Sequence, residues 1–181
     1  MKQEFERRFP NWAQALGPVN TDVLVKATKL LELPANRVII RDRMPVDSLY
    51  MIMEGEVMIS VEENGKSIKL DTVGAGQVLG EVSVLSGELL ASSTATSTTP
   101  VRLLRLRHQA FEDLISTNYE VASVLLKHFV TMLADRLRTS ASSFAELRGE
   151  PGSPAVRGAE VSADPGGKNW IKSFFDRAPG A

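Results

Sequence analysis

Cysteine is absent from this 181-residue sequence, which excludes disulfides, thiolate catalysis, zinc–cysteine sites and cysteine-ligated iron–sulfur clusters. Histidine is nearly absent. His108 and His128 are the only two, without the HExxH spacing that sets two ligands on one helix turn, so no metal is expected. Charge of one sign is missing as well: 21 Lys and Arg against 22 Asp and Glu give a net charge of −1, with no overall basic field for nucleic acid. No run approaches the roughly 18 to 20 apolar residues of a spanning helix. The opening MKQEFERRFP puts charges where a signal peptide needs an apolar core, so the expectation is a soluble, cytoplasmic protein. GxSxG, SxxK, Walker A, EF-hand and paired-acid arrangements are all lacking, which leaves an enzyme without residues to act with.

What is present, 43% hydrophobic and 24% charged residues, suits one compact core. A helical lead is expected over residues 1–20, where Phe5, Phe9 and Trp12 can pack on one side. Thr21 and Asp22 can cap a following helix carrying Val23, Val25, Ala27, Leu30 and Leu31 and closed by Pro34. From Arg37 the period changes to short β-rich runs, VII, SLYMIM, EVMISV and SIKLDTV, punctuated by Pro45, Gly55, Asn64-Gly65 and Gly74-Ala-Gly76. These read as an antiparallel meander, with Asn64-Gly65 as a two-residue type I′ turn. Strands continue through the Ser/Thr tract to VRLLRL, whose Arg102, Arg105 and Arg107 read as a solvated face or a phosphate patch.

HQAFEDLIS predicts a short helix, opened by His108 with its ring toward water. Thr117-x-x-Glu120 then reads as a capping box opening a long helix over 118–147. Its apolar stripe includes Leu125, His128, Phe129, Met132, Leu133 and Leu137, and is longer than a small barrel can cover. A second copy of the same helix is the expected partner, giving a homodimer. Residues 148–181, dense in Gly, Pro, Ser and Ala, read as a disordered linker. It ends in a short amphipathic segment, 168–178, where Trp170, Ile171, Phe174 and Phe175 share one helical face suited to a protein groove or a membrane surface.

Helix, small β-roll, short helix and long helix in this order, over about residues 20–147, resemble the cyclic-nucleotide-binding domain. That module is shared by catabolite-activator-type regulators, kinase regulatory subunits and gated channels. PANRVIIRDRMPVDSLYMIMEGEV is similar to its first strands, and Gly76-Gln-Val-Leu-Gly80-Glu81-Val82-Ser83-Val84-Leu85 to the start of its phosphate-binding cassette. The resemblance implies an α+β, mainly β fold: a double-stranded, jelly-roll-like β-roll with flanking helices and a long C-terminal helix. It also implies a cyclic nucleotide as ligand, with no other cofactor. Free N–H groups at Val82 and Ser83 would face the phosphate, Gly80 would admit close backbone approach, and Glu81 would hold the ribose 2′-hydroxyl.

The family's cassette arginine has no counterpart. Its place falls at Ala91 or a neighbour, and no basic residue occurs from Leu70 to Val101. Ser92 and Ser93 can donate hydrogen bonds there without charge, so affinity should fall about ten- to a hundredfold unless Lys66 or Lys69 from the neighbouring hairpin substitutes. Ser140 is the candidate base contact on the long helix. The winged helix of related transcription regulators does not follow that helix, so no sequence-specific DNA binding is expected and output must pass through an unidentified protein partner. Two readings stand: a ligand-responsive regulatory sensor, or a degenerate, ligand-free fold serving as a dimerisation and docking scaffold.

Overall fold

The computed structural model describes residues 1–63, 65–81 and 90–147, with 63 and 136–147 described by backbone alone. Asn64, Val82, Ser83 and the tail residues Trp170, Phe174 and Phe175 lie outside the described residues, as do the side chains of Leu137 and Ser140. Two helices, α1 (Lys2–Arg8) and α2 (Pro10–Lys26), lead into eight strands: β1 (Lys29–Leu33), β2 (Val38–Ile40), β3 (Ser48–Glu54), β4 (Glu56–Glu63), β5 (Lys66–Gly74), β6 (Val78–Leu79), β7 (Thr94–Ser97) and β8 (Val101–Arg107). Helices α3 (His108–Thr117) and α4 (Tyr119–Leu147) follow.

The strands form two antiparallel four-stranded sheets, β1-β8-β3-β6 and β2-β7-β4-β5, the jelly-roll-like arrangement expected. The connectivity is not a meander. Only β4 and β5 are neighbours both in sequence and in a sheet, because each remaining strand crosses to the other layer and finds a partner far along the chain. The β4–β5 ladder ends at Glu63 opposite Lys66, and Gly65 takes φ +73°, as a two-residue hairpin requires.

The first sheet is covered on both faces, so its strand β3 is almost continuously apolar. Leu49, Met51 and Met53 of β3 pack toward the helices, while Ile52 enters the layer between the sheets. That alternation makes two adjoining cores. An aromatic chain fastens the helical one: Phe9 lies 5.1 Å from Phe5 and 5.5 Å from Trp12, and Phe129 of α4 meets Trp12 at 5.6 Å and Phe111 of α3 at 6.2 Å.

Several local expectations are corrected. Leu30 and Leu31 are in β1, paired with Leu104 and Leu103, since the helix ends at Lys26 and Lys29–Leu33 completes the sheet edge. Thr21 is interior to α2 and fully buried, so it caps nothing. The kink in α2 comes at Gly17, at φ +71°, followed by Pro18. The cap of α4 is Asn118, whose Oδ1 accepts the Val121 N–H at 3.0 Å, while Thr117 instead donates to the Asp113 carbonyl at 2.6 Å.

Leu125 and Phe129, expected on a dimer face, are each 1% exposed within the single chain. They pack on the aromatic core, because the N-terminal helices cover the first half of α4's stripe. Met132 and Leu133 are half-buried. His128 packs against Trp12 at 5.2 Å between ring centroids, and its Nδ1 lies 2.8 Å from the Val124 carbonyl.

Candidate functional site

Gly80 takes φ +82°, and a Cβ there would lie 2.6 Å from the Ser48 carbonyl oxygen and 3.3 Å from Val46 Cγ1. Only glycine satisfies both the angle and the approach. Glu81 beside it is 2% exposed, a buried carboxylate rather than a surface turn. The far end of the same chain segment is anchored equally firmly: Leu90 bridges Pro45, the Ala91 N–H donates to the Met44 carbonyl at 2.9 Å, and the Arg43 N–H donates to the Ala91 carbonyl at 2.9 Å. Both ends of the predicted cassette therefore rest on one connection, residues 40–48, between β2 and β3.

That connection is itself strained and held. Arg43 sits at φ +58° and Asn36, at the preceding turn, at +62°, the left-handed region that residues with a Cβ rarely adopt. The Asp42 N–H donates to Thr94 Oγ1 at 3.1 Å, so residues 41–44 run alongside the chain that enters β7. A cavity of about 320 Å3 opens beside it, lined by Ile40, Val46, Tyr50, Met44, Arg41 and Asp47 among others. This volume lies in the range of small-molecule sites.

Ala91, the position expected to stand in for the arginine, is 6% exposed and packs in the core between the sheets. Ser92 is exposed and Ser93 half-buried. Lys66 and Lys69 are on β5, two strands from β7 and at the opposite edge of the second sheet from β2. Strand spacing of about 4.8 Å makes that separation near 10 Å.

A polar cluster ties this region to the helices. Ser48, fully buried, donates through Oγ to Asp47 Oδ1 at 2.8 Å and accepts from Arg105 Nε at 2.7 Å. Arg105 Nη2 donates to both Asp47 carboxylate oxygens, at 2.9 and 3.1 Å. The Asp47 carbonyl accepts the His108 N–H, at the first residue of α3, at 2.7 Å. His108 is half-buried, its Nδ1 enclosed without a partner among the described residues. The Ser48 hydroxyl, then Arg105 and Arg107, hold the Asp47 carboxyl below its ordinary value of 3.8, against an opposing effect of burial.

A folded-state value depressed in this way stabilises the protein above the unfolded value and loses that contribution as pH falls through the folded one. Asp47→Asn should therefore lower the urea midpoint at about pH 6, and the difference from wild type should shrink toward about pH 3. The effect will be modest, since the Asp47 side chain is 67% exposed and solvent screens the pair. Arg102 is spent similarly, on Glu4, Glu32 and Glu54, which binds α1, β1, β3 and β8 together. Two of the three β8 arginines are thus structural ties.

The sequence did not single out Arg41, Asp47 and Tyr50, which line the cavity. The only signal available was the Arg-Asp-Arg turn at 41–43, placed beside the cassette by tertiary pairing alone.

Among the described residues no helix is long and apolar enough to cross a membrane, and no group of three or more His, Cys, Asp or Glu could hold a metal ion. Residues 30–118 match the family model for the cyclic nucleotide-binding domain. The chain is similar to a cyclic nucleotide-gated potassium channel of Mesorhizobium japonicum, 32% identical over 114 residues, which is 63% of this chain and 30% of the channel. It is also similar to a CRP-like cAMP-activated global transcriptional regulator of Mycobacterium tuberculosis, 28% identical over 135 residues, or 74% of this chain and 58% of the regulator. The chain thus spans between about a third and somewhat over half of these relatives. The crystal structure of a cyclic nucleotide-binding domain from Methylobacillus flagellatus shares the fold, at 21% identity and a TM-score of 0.72, with 85% of this chain and 88% of that one covered.

Proposed function

Since residues 30–118 belong to the cyclic nucleotide-binding domain family, we propose that this chain is a cytoplasmic regulatory sensor, not an enzyme, that binds a cyclic nucleotide and signals through a protein partner. The observation that carries the reading is the seating of both cassette ends, Gly80-Glu81 and Leu90-Ala91, on the 40–48 connection beside a cavity of about 320 Å3. In this reading Gly80 lets backbone N–H groups reach the phosphate, the Glu81 carboxylate accepts from the ribose, and Ser92 and Ser93 supply neutral donors. Val82, Ser83 and Ser140 keep the roles the family resemblance implies.

A route from ligand to output follows the polar cluster. A shift at Gly80 presses on the Ser48 carbonyl; Ser48 is bonded to Asp47, and the Asp47 carbonyl holds the first residue of α3. The two helices beyond it then change their packing, which is a population shift driven by differential ligand affinity.

The homodimer belongs to the same proposal, on a corrected face. Leu126, 40% exposed, and Val130, 67% exposed, are followed by Leu133 and Leu137 at alternating spacings of four and three residues, the heptad seam of a coiled coil. This seam is offset by one residue from the buried Leu125 and Phe129, so one helix serves the core on one side and a second copy on the other. The docking role of Trp170, Phe174 and Phe175 remains part of the reading.

Calorimetric titration with cyclic AMP, cyclic GMP and cyclic di-GMP tests it. Micromolar binding that Glu81→Ala weakens at least about tenfold supports the sensor. Silence up to millimolar ligand overturns it and favours the scaffold reading, which the burial of Ala91 in the core already suits.

A further inference from the structure

We infer that Arg41 supplies the cationic contact for an anionic ligand of this cavity, in place of the arginine that the cassette itself lacks. The inference rests on the sensor reading above and adds the residue that makes anion recognition workable.

The argument begins with position. β2 and β5 are the two edges of the sheet β2-β7-β4-β5, and the cassette delivers the chain directly into β7. Ile40 pairs with Ala95, Asp42 N–H bonds Thr94 Oγ1, and Arg43 N–H bonds the Ala91 carbonyl, so the 41–43 turn runs alongside the segment 91–95. Arg41 is therefore one strand from Ser93 and Thr94. Lys66 and Lys69 are three strands from β2, on the far edge.

Charge selects Arg41 within the turn. The cavity is lined by apolar side chains, Tyr50, and two charged residues, Arg41 and Asp47. The Asp47 carboxylate is occupied by Arg105 and Ser48. Arg43 carries the strained backbone, is 86% exposed and lies 3.8 Å from Asp42. Arg41 makes no ion pair among the described residues. It leaves one uncommitted positive charge on a cavity whose other lining side chains are mostly apolar, the pairing that suits a singly charged phosphate carried on a flat ring system. Ile40 and Val46, which line the cavity, also lie within 3.5 Å of where a Gly80 Cβ would stand, so the cassette glycine adjoins the cavity wall.

The test compares wild type, Arg41→Gln, Arg41→Lys and Arg43→Gln in titrations with cyclic AMP and with uncharged adenosine, at low and high salt. Arg41 is exposed, so these variants should fold, which far-ultraviolet circular dichroism checks. The expected result is a loss of about ten- to a hundredfold in cyclic AMP affinity for Arg41→Gln, partial retention for Arg41→Lys, and a flatter salt dependence. Adenosine affinity, and every value for Arg43→Gln, should stay within about twofold. An Arg41→Gln affinity within about twofold of wild type overturns the inference while leaving the sensor reading intact. Equal losses in both glutamine variants also overturn it, by assigning the effect to the turn's general field. A wild type that binds no cyclic nucleotide overturns the sensor reading and this inference with it.

Discussion

Phe129→Ala should lower the free energy of unfolding by about 3 to 5 kcal/mol in urea denaturation, with little change in slope. The phenyl ring is 1% exposed and is the only described aromatic that contacts α2 and α3 together, through Trp12 and Phe111. Its removal opens a cavity where three helices converge, and the surrounding sheet cannot collapse into it because β3 and β8 are hydrogen-bonded along their lengths. The neighbouring Val130→Glu should behave oppositely. Val130 is 67% exposed, so stability of the single chain should change by less than about 0.5 kcal/mol, while light scattering should show a dimer becoming a monomer. A Phe129→Ala protein within about 1 kcal/mol of wild type would refute the core assignment. A wild type that is already monomeric would refute the heptad seam.

Gly80→Ala should cost about 2 to 4 kcal/mol and weaken cyclic nucleotide binding together with stability. Two effects add: the left-handed angle, worth about 1 to 2 kcal/mol for a residue with a Cβ, and a contact of 2.6 Å with the Ser48 carbonyl. That carbonyl cannot retreat easily, since Ser48 is fully buried and its hydroxyl is held by Asp47 and Arg105. Gly65→Ala separates the two effects. At φ +73° it has the same angular strain but no atom within 4 Å of the added carbon, so it should cost only the first increment. Equal losses in the two variants, read from thermal or urea midpoints, would show that the Ser48 contact carries no weight.

The strands from β2 to β5 and the hairpin turn were legible because their signals are local: alternation, β-branched residues and turn residues lie within a few positions of one another. The cassette's Gly80-Glu81 was legible through resemblance, and Glu81 is buried where a plain surface turn would leave it exposed. Leu30 and Leu31 were misread because apolar residues at 27, 30 and 31 satisfy a helical period as well as a short strand at the edge of a two-faced sheet. The cap of α4 slipped by one position because Thr117 and Asn118 are both capping residues, and only the Val121 hydrogen bond distinguishes them. On α4 itself, the seam at 125, 129 and 132 and that at 126, 130 and 133 have the same spacing. Which one is covered depends on where α2 lies, information no window of the helix contains. Arg41 was invisible for a related reason, since its nearness to Ser93 and Thr94 is set by a pairing across half the domain.

The central strand of the first sheet governs the order in which the molecule can be made. Arg105 of β8 stands opposite Lys29 of β1 on one side and Tyr50 of β3 on the other, so neither earlier strand has its main partner until residues 101–107 exist. On a ribosome the β4–β5 hairpin can close as it emerges, but the sheet beneath the helices must wait for nearly the whole domain. Non-local pairing of this kind is slow, on the order of milliseconds to seconds, and leaves unpaired apolar strands exposed meanwhile. The 40–48 connection, anchored by β3 below and by residues 90–94 above, acquires its shape only in that last step. The 40–48 connection and the cavity beside it are therefore late products of synthesis, absent from a nascent chain that stops short of β8.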